Sequence, residues 1–369
     1  MMKKILAAAI VSAFAAPAFA ATANVDVYGT LSVSIDSLND GTNRGNNVSS
    51  NASNIGFKGS EDMGGGLKAI WQFENILSLD GPVGGTSTGN VFGGMRDSFA
   101  GLSGNFGTLR IGYFDTPMKQ VSRKLDLFNN KIGDTRNLMT GASSNWEARF
   151  NNGIRYDSPD FAGFSGSVHY ATQYGVGATA PISGAGVTAA VTNNNKDAYA
   201  LGLNYKTGPV NLMAAYQSAE ALANLNDEKA WRLGAGVNLG DITLNALYHA
   251  ASDMGGIVNA DRKVYGLGGA YKMGNASFSA QYYKATDLSS NGASNDSAKM
   301  FAIGADYSLS KRTSTYVAYA KTTNSANGAF SMAGGGHGDN FAASSSGGSG
   351  ALVAGKDPSG VSLGMVHKF

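Results

Sequence analysis

Hydrophobic and polar residues alternate one by one along most of this chain. Val25, Val27, Gly29, Leu31, Val33 and Ile35 fall on one face of an extended segment, and Asp26, Tyr28, Thr30, Ser32, Ser34 and Asp36 on the other. A period of two held over twelve residues predicts a β-strand, and a long one for a soluble sheet. The pattern returns as Ile55 and Phe57 against Asn54 and Lys58, then as Leu67, Ala69, Trp71 and Phe73 against Lys68, Gln72 and Glu74. It returns again as Leu109, Ile111 and Tyr113 around Arg110, as Ile154 and Tyr156 around Arg155, and as Val361, Leu363 and Met365 before the terminal Phe369. Short turn-like stretches (61–66, 105–107, 159–163, 207–209, 239–241, 273–275, 309–312) alternate with long polar ones rich in Gly, Ser and Asn (37–52, 77–95, 115–148, 172–196, 219–229, 251–261, 286–297, 322–358). Together these connections separate sixteen strands.

An even number of strands, with short turns on one side and long loops on the other, predicts an all-β fold: a 16-stranded antiparallel transmembrane β-barrel. Lipid offers the backbone no hydrogen-bond partner, so a sheet inside it must close on itself. At about sixteen strands the wall is too wide for its own side chains to fill, and a water channel remains. A secreted β-sandwich is the rival fold, but it needs two apolar faces turned toward each other. Sixteen Tyr and seventeen Phe, many near strand ends (Tyr113, Tyr156, Tyr170, Tyr205, Tyr216, Tyr271, Tyr307, Tyr319), suit the interfacial girdles of a barrel instead.

Composition agrees. Charged residues are 15% of the 369, against roughly 25% in soluble proteins, and 51 are glycine. Cysteine is absent, which excludes disulfides, Cys-ligated metals and Cys nucleophiles. Lys plus Arg (28) nearly balances Asp plus Glu (26), so no basic field points to nucleic acid. The mean hydropathy of −0.13 is what alternation between lipid and water faces produces. Residues 1–20 read as a cleaved signal peptide: Lys3 and Lys4, an apolar Ile5 to Phe14, then Ala18-Phe19-Ala20 before the cut. The apolar stretch is too short to be a membrane anchor. Residues 21–369 form the barrel domain.

Several segments resemble the general porins of Gram-negative outer membranes, particularly the betaproteobacterial type. They are 25–31 (VDVYGTL), 55–69 (IGFKGSEDMGGGLKA), Arg96 with 99–102 (FAGL), 106–109 (FGTL), 152–159 (NGIRYDSP) and the terminal 366–369 (VHKF). The resemblance spans the full mature length. It implies a homotrimer of sixteen-stranded barrels in outer-membrane lipid and lipopolysaccharide, each pore narrowed by an inward-folded third external loop. It also implies passive diffusion of small hydrophilic solutes and ions, with no enzyme activity and no cofactor. Phe369 would be the assembly signal read by the barrel-insertion machinery. A substrate-specific porin, or a barrel adhesin or enzyme acting through external loops, are the alternatives.

The site of such a channel is electrostatic, because charges in a narrow passage favour solutes of one sign. The 115–148 loop follows the fifth strand and is long enough to enter the lumen; it carries Asp126 and Asp134. Alternation places Lys58, Arg96, Arg110, Arg149 and Arg155 on the lumenal side. By resemblance Arg96 and Arg149 match basic wall positions, and Glu74 an acidic one. There are departures: Asn54 and Thr30 stand where relatives carry bases, and the loop lacks a Pro-Glu-Phe-Gly-Gly stretch. Over 115–149 the bases Lys119, Arg123, Lys124, Lys131, Arg136 and Arg149 outnumber Asp115, Asp126, Asp134 and Glu147, which points to weak anion preference. Mutual pairing of these charges, with no net bias, is the opposing expectation. Gly234, Gly236 and Gly240 brush against a dinucleotide fingerprint, but alternation continues through them and close strand approach is the better reading. The four histidines lack metal-ligand spacing, and His169 reads as a lumen-facing hydrogen-bonding residue. The Gly/Ser/Ala-rich 330–350 reads as a flexible external loop.

Overall fold

A computed structural model of the chain describes residues 24–81, 91–141, 144–172, 197–220, 226–289, 295–334, 336–338 and 352–369. The signal-peptide segment lies outside the described residues. Sixteen strands follow in chain order, each antiparallel to its neighbours. They are β1 (Asn24–Asn39), β2 (Arg44–Ser50 continued by Asn54–Gly64), β3 (Leu67–Leu77), β4 (Phe92–Met95 continued by Ser98–Gly104) and β5 (Gly107–Asp115). Next come β6 (Arg149–Asp157), β7 (Phe164–Ala171), β8 (Ala198–Thr207), β9 (Val210–Ala219), β10 (Glu228–Leu239) and β11 (Ile242–Ser252). The last are β12 (Arg262–Met273), β13 (Ala276–Ala285), β14 (Ala298–Ser308), β15 (Thr313–Asn324) and β16 (Ser359–Lys368).

The sheet closes where β16 meets β1, with Thr30 opposite Lys368 and Asn39 opposite Ser359. The last residue completes the seam: Gly29 and Phe369 exchange two backbone hydrogen bonds of 3.1 Å. Gly29 has a steric reason to lack a side chain, since a Cβ there would lie 2.5 Å from both the Phe369 ring and the Asn54 carbonyl oxygen. All seven predicted short turns join the strands expected of them. Polar Ser37 to Ser50 was expected as a loop, yet β1 and β2 pair as far as Asn39 and Arg44. Beyond the hydrocarbon both faces of a ladder are wet, so the strands extend without any apolar alternation to reveal them.

The predicted outward residues face out. Leu203, Leu267, Ile35 and Phe73 are 61–68% exposed, while their neighbours in sequence point inward. Aromatic rings mark both rims of this apolar band on β6–β15. Toward the long loops run Tyr170, Tyr199, Tyr216, Trp231, Tyr248, Tyr265, Tyr282, Phe301 and Tyr319, with centroid separations such as 5.0 Å for Trp231–Tyr248. Toward the short turns lie Tyr156, Phe164 stacked on Tyr205 at 4.1 Å, Tyr271 opposite Phe278, and Tyr307. Such rings sit at the boundary between chain and headgroup because one end is apolar and the other wet.

One element was not expected. Helix α1 (Pro117–Leu125) begins the 115–148 loop, with the Thr116 hydroxyl capping Lys119 N–H and Pro117 in the first turn. Its buried face, Met118, Val121, Ser122 and Leu125, lies on the inward side of β8–β11. Gly234 makes that seat: a Cβ on it would sit 2.4 Å from Leu125 Cδ1 and 2.9 Å from Val121 Cγ1. The glycine at 234 therefore belongs to a close approach and not to a nucleotide site. The same loop then reaches β13 through Gln281 and β14 through Lys131–Asp306 and Phe128 against Gly304. A single segment can touch so many strands of a closed wall only from within it.

The last long loop departs from its expected external course. Phe330 to Gly334 and Gly336 to His337 are buried and fastened to the inner loop. Ile132 bridges Ala333, Gly133 N–H donates to Met332 O at 2.6 Å, and Ser331 N–H donates to Asn137 Oδ1 at 3.1 Å. His337 Nε2 lies 3.5 Å from Asp36 Oδ2 on β1. Ser331, Ala333, Gly334 and Gly336 let the backbone come close: a Cβ on Gly334 would lie 2.8 Å from Asp134 Cγ. Gly29→Val is expected to cost roughly 1–3 kcal/mol by overpacking the closure. A lower temperature for loss of the compact, fast-migrating form in unboiled gel samples would show it; an unchanged temperature would refute it.

Candidate functional site

The inward positions of β1–β6 and the first turn of the inner loop form one connected set of charges. The Tyr28 hydroxyl donates to Glu74 Oε2 at 2.9 Å, and Glu74 pairs with Arg96. The Lys58 ammonium lies 5.3 Å from the Tyr28 ring centre. Arg149 bridges Asp97 at 2.5 Å and Asp115 at 3.1 Å. Asp115 also holds Lys119 at 3.0 Å and Arg123 at 2.9 Å. Arg155 donates to Asp157 at 2.6 Å, to Gln120 Oε1 at 2.9 Å and to the Asp115 carbonyl at 3.0 Å. Arg110 completes the row by pairing with Asp157, its guanidinium 5.2 Å from Phe99 and 5.1 Å from Phe114.

Through these contacts the structure brings together Lys58, Glu74, Arg96, Arg110, Arg149 and Arg155, all expected on the lumenal side. The set also contains Tyr28, which alternation placed on the polar face of β1, and residues that alternation did not single out: Asp97, Gln120 and Asp157. Counted together, Arg96, Arg110, Lys119, Arg123, Lys124, Arg149 and Arg155 face Glu74, Asp97, Asp115 and Asp157, with Lys58 and its cross-strand partner Asp26 at the edge. The pairing that could have cancelled all bias leaves an excess of bases. A cavity of about 210 Å³ between α1 and the wall is lined by Gln120, Lys124, Arg155 and Asp157.

Asp126 and Asp134 are placed differently from expectation. Neither faces open water, at 8% and 0% exposure. Asp126 accepts from Phe128 N–H, Thr135 N–H, the Thr135 hydroxyl and Gln281 Nε2 at 2.8–3.1 Å. Asp134 accepts from Asn130 N–H and Arg136 N–H, each at 2.9 Å, and pairs with the Arg136 guanidinium. Both carboxylates shape the loop and do not present charge to the passage, because their oxygens are turned onto loop amides. Burial, reinforced by the Asp134 charge, raises the Asp126 carboxyl to about 7. Burial also raises Asp134, but Arg136 and the loop amides outweigh it and leave that group below the usual range. Burial draws Lys119 down to about 8 against the pull of Asp115.

Deeper pairs anchor the loop to the far wall. Arg232 on β10 is fully buried and holds Glu147 at 2.6 Å and the Met118 carbonyl at 2.8 Å. Its signal in the sequence was an arginine among the small inward residues Ala230, Gly234 and Gly236. His169 does face inward, but it packs instead of bridging: its ring stacks on Phe114 at 4.6 Å, and among the described residues neither ring nitrogen has a hydrogen-bond partner. Among the described residues there is no His/Asp/Glu cluster able to hold a metal ion.

The chain is similar to known proteins in sequence and in fold. The Gram-negative porin family profile matches residues 7–327. The chain belongs to that family. It is 36% identical over 214 residues to the major outer membrane protein P.IB of Neisseria gonorrhoeae, covering 56% of this chain and 54% of that protein. The Neisseria meningitidis serogroup A protein of the same name is 36% identical over 223 residues, covering 56% of each. The chain thus spans about half the length of the curated relatives it matches. Among solved structures, the anion-selective porin from Comamonas acidovorans aligns with TM-score 0.73 and 26% identity over 94% of this chain and 100% of that one. A Salmonella typhi OmpF structure shares the fold at TM-score 0.66 and 16% identity, covering 95% and 99%. The porin is an integral β-barrel of the outer membrane, as expected from its alternation.

Arg232→Ala would leave the Glu147 charge buried without its guanidinium, a loss of about 3–5 kcal/mol; thermal unfolding in detergent measures it, and the double variant R232M/E147Q should recover most of the loss. For Asp126 the folded carboxyl binds its proton more tightly than the unfolded one. That contribution is full below about pH 4 and is lost as pH rises toward 7. Hydrogen-exchange protection at Phe128 and Thr135, corrected for intrinsic rates, should fall across that window; flat protection would contradict it.

Proposed function

We propose that this porin forms a water-filled channel for passive diffusion of small hydrophilic solutes and ions, with a weak preference for anions. The observation that carries the reading is the inward set in which eight bases meet five carboxylates. In a confined passage of lowered dielectric such an excess raises the local concentration of anions, while the carboxylates keep the arginines extended and apart. Paired charges screen one another, so the preference is weak. The name of the Comamonas acidovorans neighbour, an anion-selective porin, is consistent with this sign.

The proposed passage is lined by the arginine row of β4–β6 and the first turns of α1 bonded to it. Lys58, Arg96, Arg110, Arg149, Arg155 and Glu74 set its field; Asp126 and Asp134 act by holding the loop in shape. Nothing in this role requires bond chemistry or a cofactor. The first twenty residues serve as the export signal, and Phe369, whose backbone closes the sheet onto Gly29, as the mark read by the insertion machinery.

The working unit proposed is a homotrimer. Among the described residues, the outward positions of β16 and β1–β4 carry no tyrosine, although β6–β15 carry it at both rims. Val25, Val27, Ile35, Val48, Phe57 and Phe73 are 43–66% exposed there. A wall without tyrosine hydroxyls at its rims, its exposed residues aliphatic or phenylalanine, fits contact with another copy better than contact with lipid headgroups.

Planar-bilayer recordings in a salt gradient test the channel and its sign together. The parent protein is expected to open in large steps and reverse on the anion side. The exposed bases Lys58 and Lys124 can be changed without uncovering a buried charge, and K58E/K124E should move the reversal potential to the cation side. Absence of open steps refutes the channel, and cation selectivity of the parent refutes the proposed sign.

A further inference from the structure

The cavity of about 210 Å³ under α1 lies at the short-turn end of the lumen, beside the arginine row. Two neighbouring rows of inward positions make its floor. In one row Asp157 on β6 stands opposite Ser167 on β7, and Ser167 opposite Gly202 on β8. In the other, Ser165 stands opposite Asn204, and Asn204 opposite Met213 on β9. The helix supplies the roof through Pro117, Val121 and Lys124. Roof and floor meet at Gly202, where a Cβ would lie 2.5 Å from Ser167 Oγ and 2.8 Å from Pro117 Cβ.

The lining carries two kinds of group that want a partner. Lys124 forms no ion pair among the described residues; the charges that reach it are Arg155, of like sign, and Asp157. Asp157 already accepts from Arg155 and pairs with Arg110. Among the lining residues Lys124 and Arg155 face Asp157 alone, a surplus of a single positive charge. The second kind is neutral. Asn204 Oδ1 is buried and has no hydrogen-bond partner among the described residues, and the Ser165 and Ser167 hydroxyls line the same floor. A buried amide oxygen calls for an N–H or O–H donor. A halide ion would answer the ammonium and not the amide oxygen, and a water the amide oxygen and not the charge.

We propose that this cavity is a binding site for a polyhydroxylated monocarboxylate, a sugar acid of the aldonic or uronic class. The carboxylate pairs with the Lys124 ammonium in the field of Arg155, while hydroxyls donate to Asn204 Oδ1 and bond to Ser165 and Ser167. One negative charge matches the surplus; a second would be left over. The cavity is smaller than the roughly 300 Å³ or more of a drug-sized site and far larger than a water needs, which limits the ligand to the size of a sugar. The proposal deepens the channel reading and rests on it, because a solute reaches the space under α1 only through the lumen. Such a site selects among anions of equal charge by their hydroxyls, which the field of the arginine row alone does not do.

The test is saturation-transfer NMR on the purified full-length protein in detergent, titrated with sodium gluconate. The comparators are sodium propionate, a carboxylate without hydroxyls, and sorbitol, which has hydroxyls without a carboxylate. Gluconate should bind about fivefold or more tightly than either. K124Q should weaken gluconate binding roughly tenfold by removing a charged hydrogen bond, and K124R should retain it. N204A leaves every charge in place; it should weaken gluconate about fivefold and leave propionate unaffected. Equal binding of gluconate and either comparator overturns the proposal, as does gluconate binding unchanged in K124Q or in N204A. Planar-bilayer recordings on the same preparation separate the two readings. A parent that conducts without binding gluconate refutes the sugar-acid site alone, and one that binds gluconate without conducting refutes the channel alone.

Discussion

Every feature of this protein depends on one constraint: a backbone amide inside hydrocarbon must find its partner within the protein. An unmet group costs several kcal/mol there, so a sheet with an open edge could not remain in the membrane. The seam between β1 and β16 is where this requirement is met last, from Thr30 opposite Lys368 to Asn39 opposite Ser359. The C-terminal residue is drawn into it, with Phe369 bonded to Gly29 on both N–H and C=O. Because the pairing is antiparallel throughout, successive side chains point to lipid and to water. The inward and outward populations of charge are products of that single rule.

Inward, the rule gathers arginine and aspartate on a confined wall, and there the dominant effect is compensation. Arg232 and Glu147 are buried together, as are Asp115 and the bases around it, because a lone ion in such a place would cost more than any packing it gained. The bases that exceed their partners, such as Lys58 and Lys124, are those that remain exposed. Outward, the same rule leaves Lys263, Lys284 and Lys299 at the loop-side rim, on strands whose outward positions hold no Asp or Glu. The two sets never compete, since the sheet lies between them.

The passage is also shaped by what the wall leaves out. Gly234 lets Leu125 and Val121 lie against β10, and Gly304 accommodates Phe128 on β14. Small residues on the inner face thus decide where the inner loop rests. The 330–338 segment adds a second layer by joining that loop at Ile132, Gly133 and Asn137. Two segments from distant parts of the chain thus meet on the inner side of the wall.

The strand number, the short turns, the direction of Lys58, Arg110 and Arg155, and the aromatic rims could all be read from the order of residues. These follow from a period of two, which is local and repeats sixteen times. The roles of Asp126 and Asp134 could not be read so, because a carboxylate that shapes a loop and one that faces solvent have the same sequence; only the positions of Thr135, Gln281 and Arg136 distinguish them. Helix α1 left a local trace in Thr116-Pro117, but its resting place depends on Gly234, more than a hundred residues away. The inward course of Phe330 to His337 likewise came from contacts with Asn137 and Asp36, across the lumen. Local alternation specified the wall, while long-range contact, which no local pattern encodes, decided how that wall is filled.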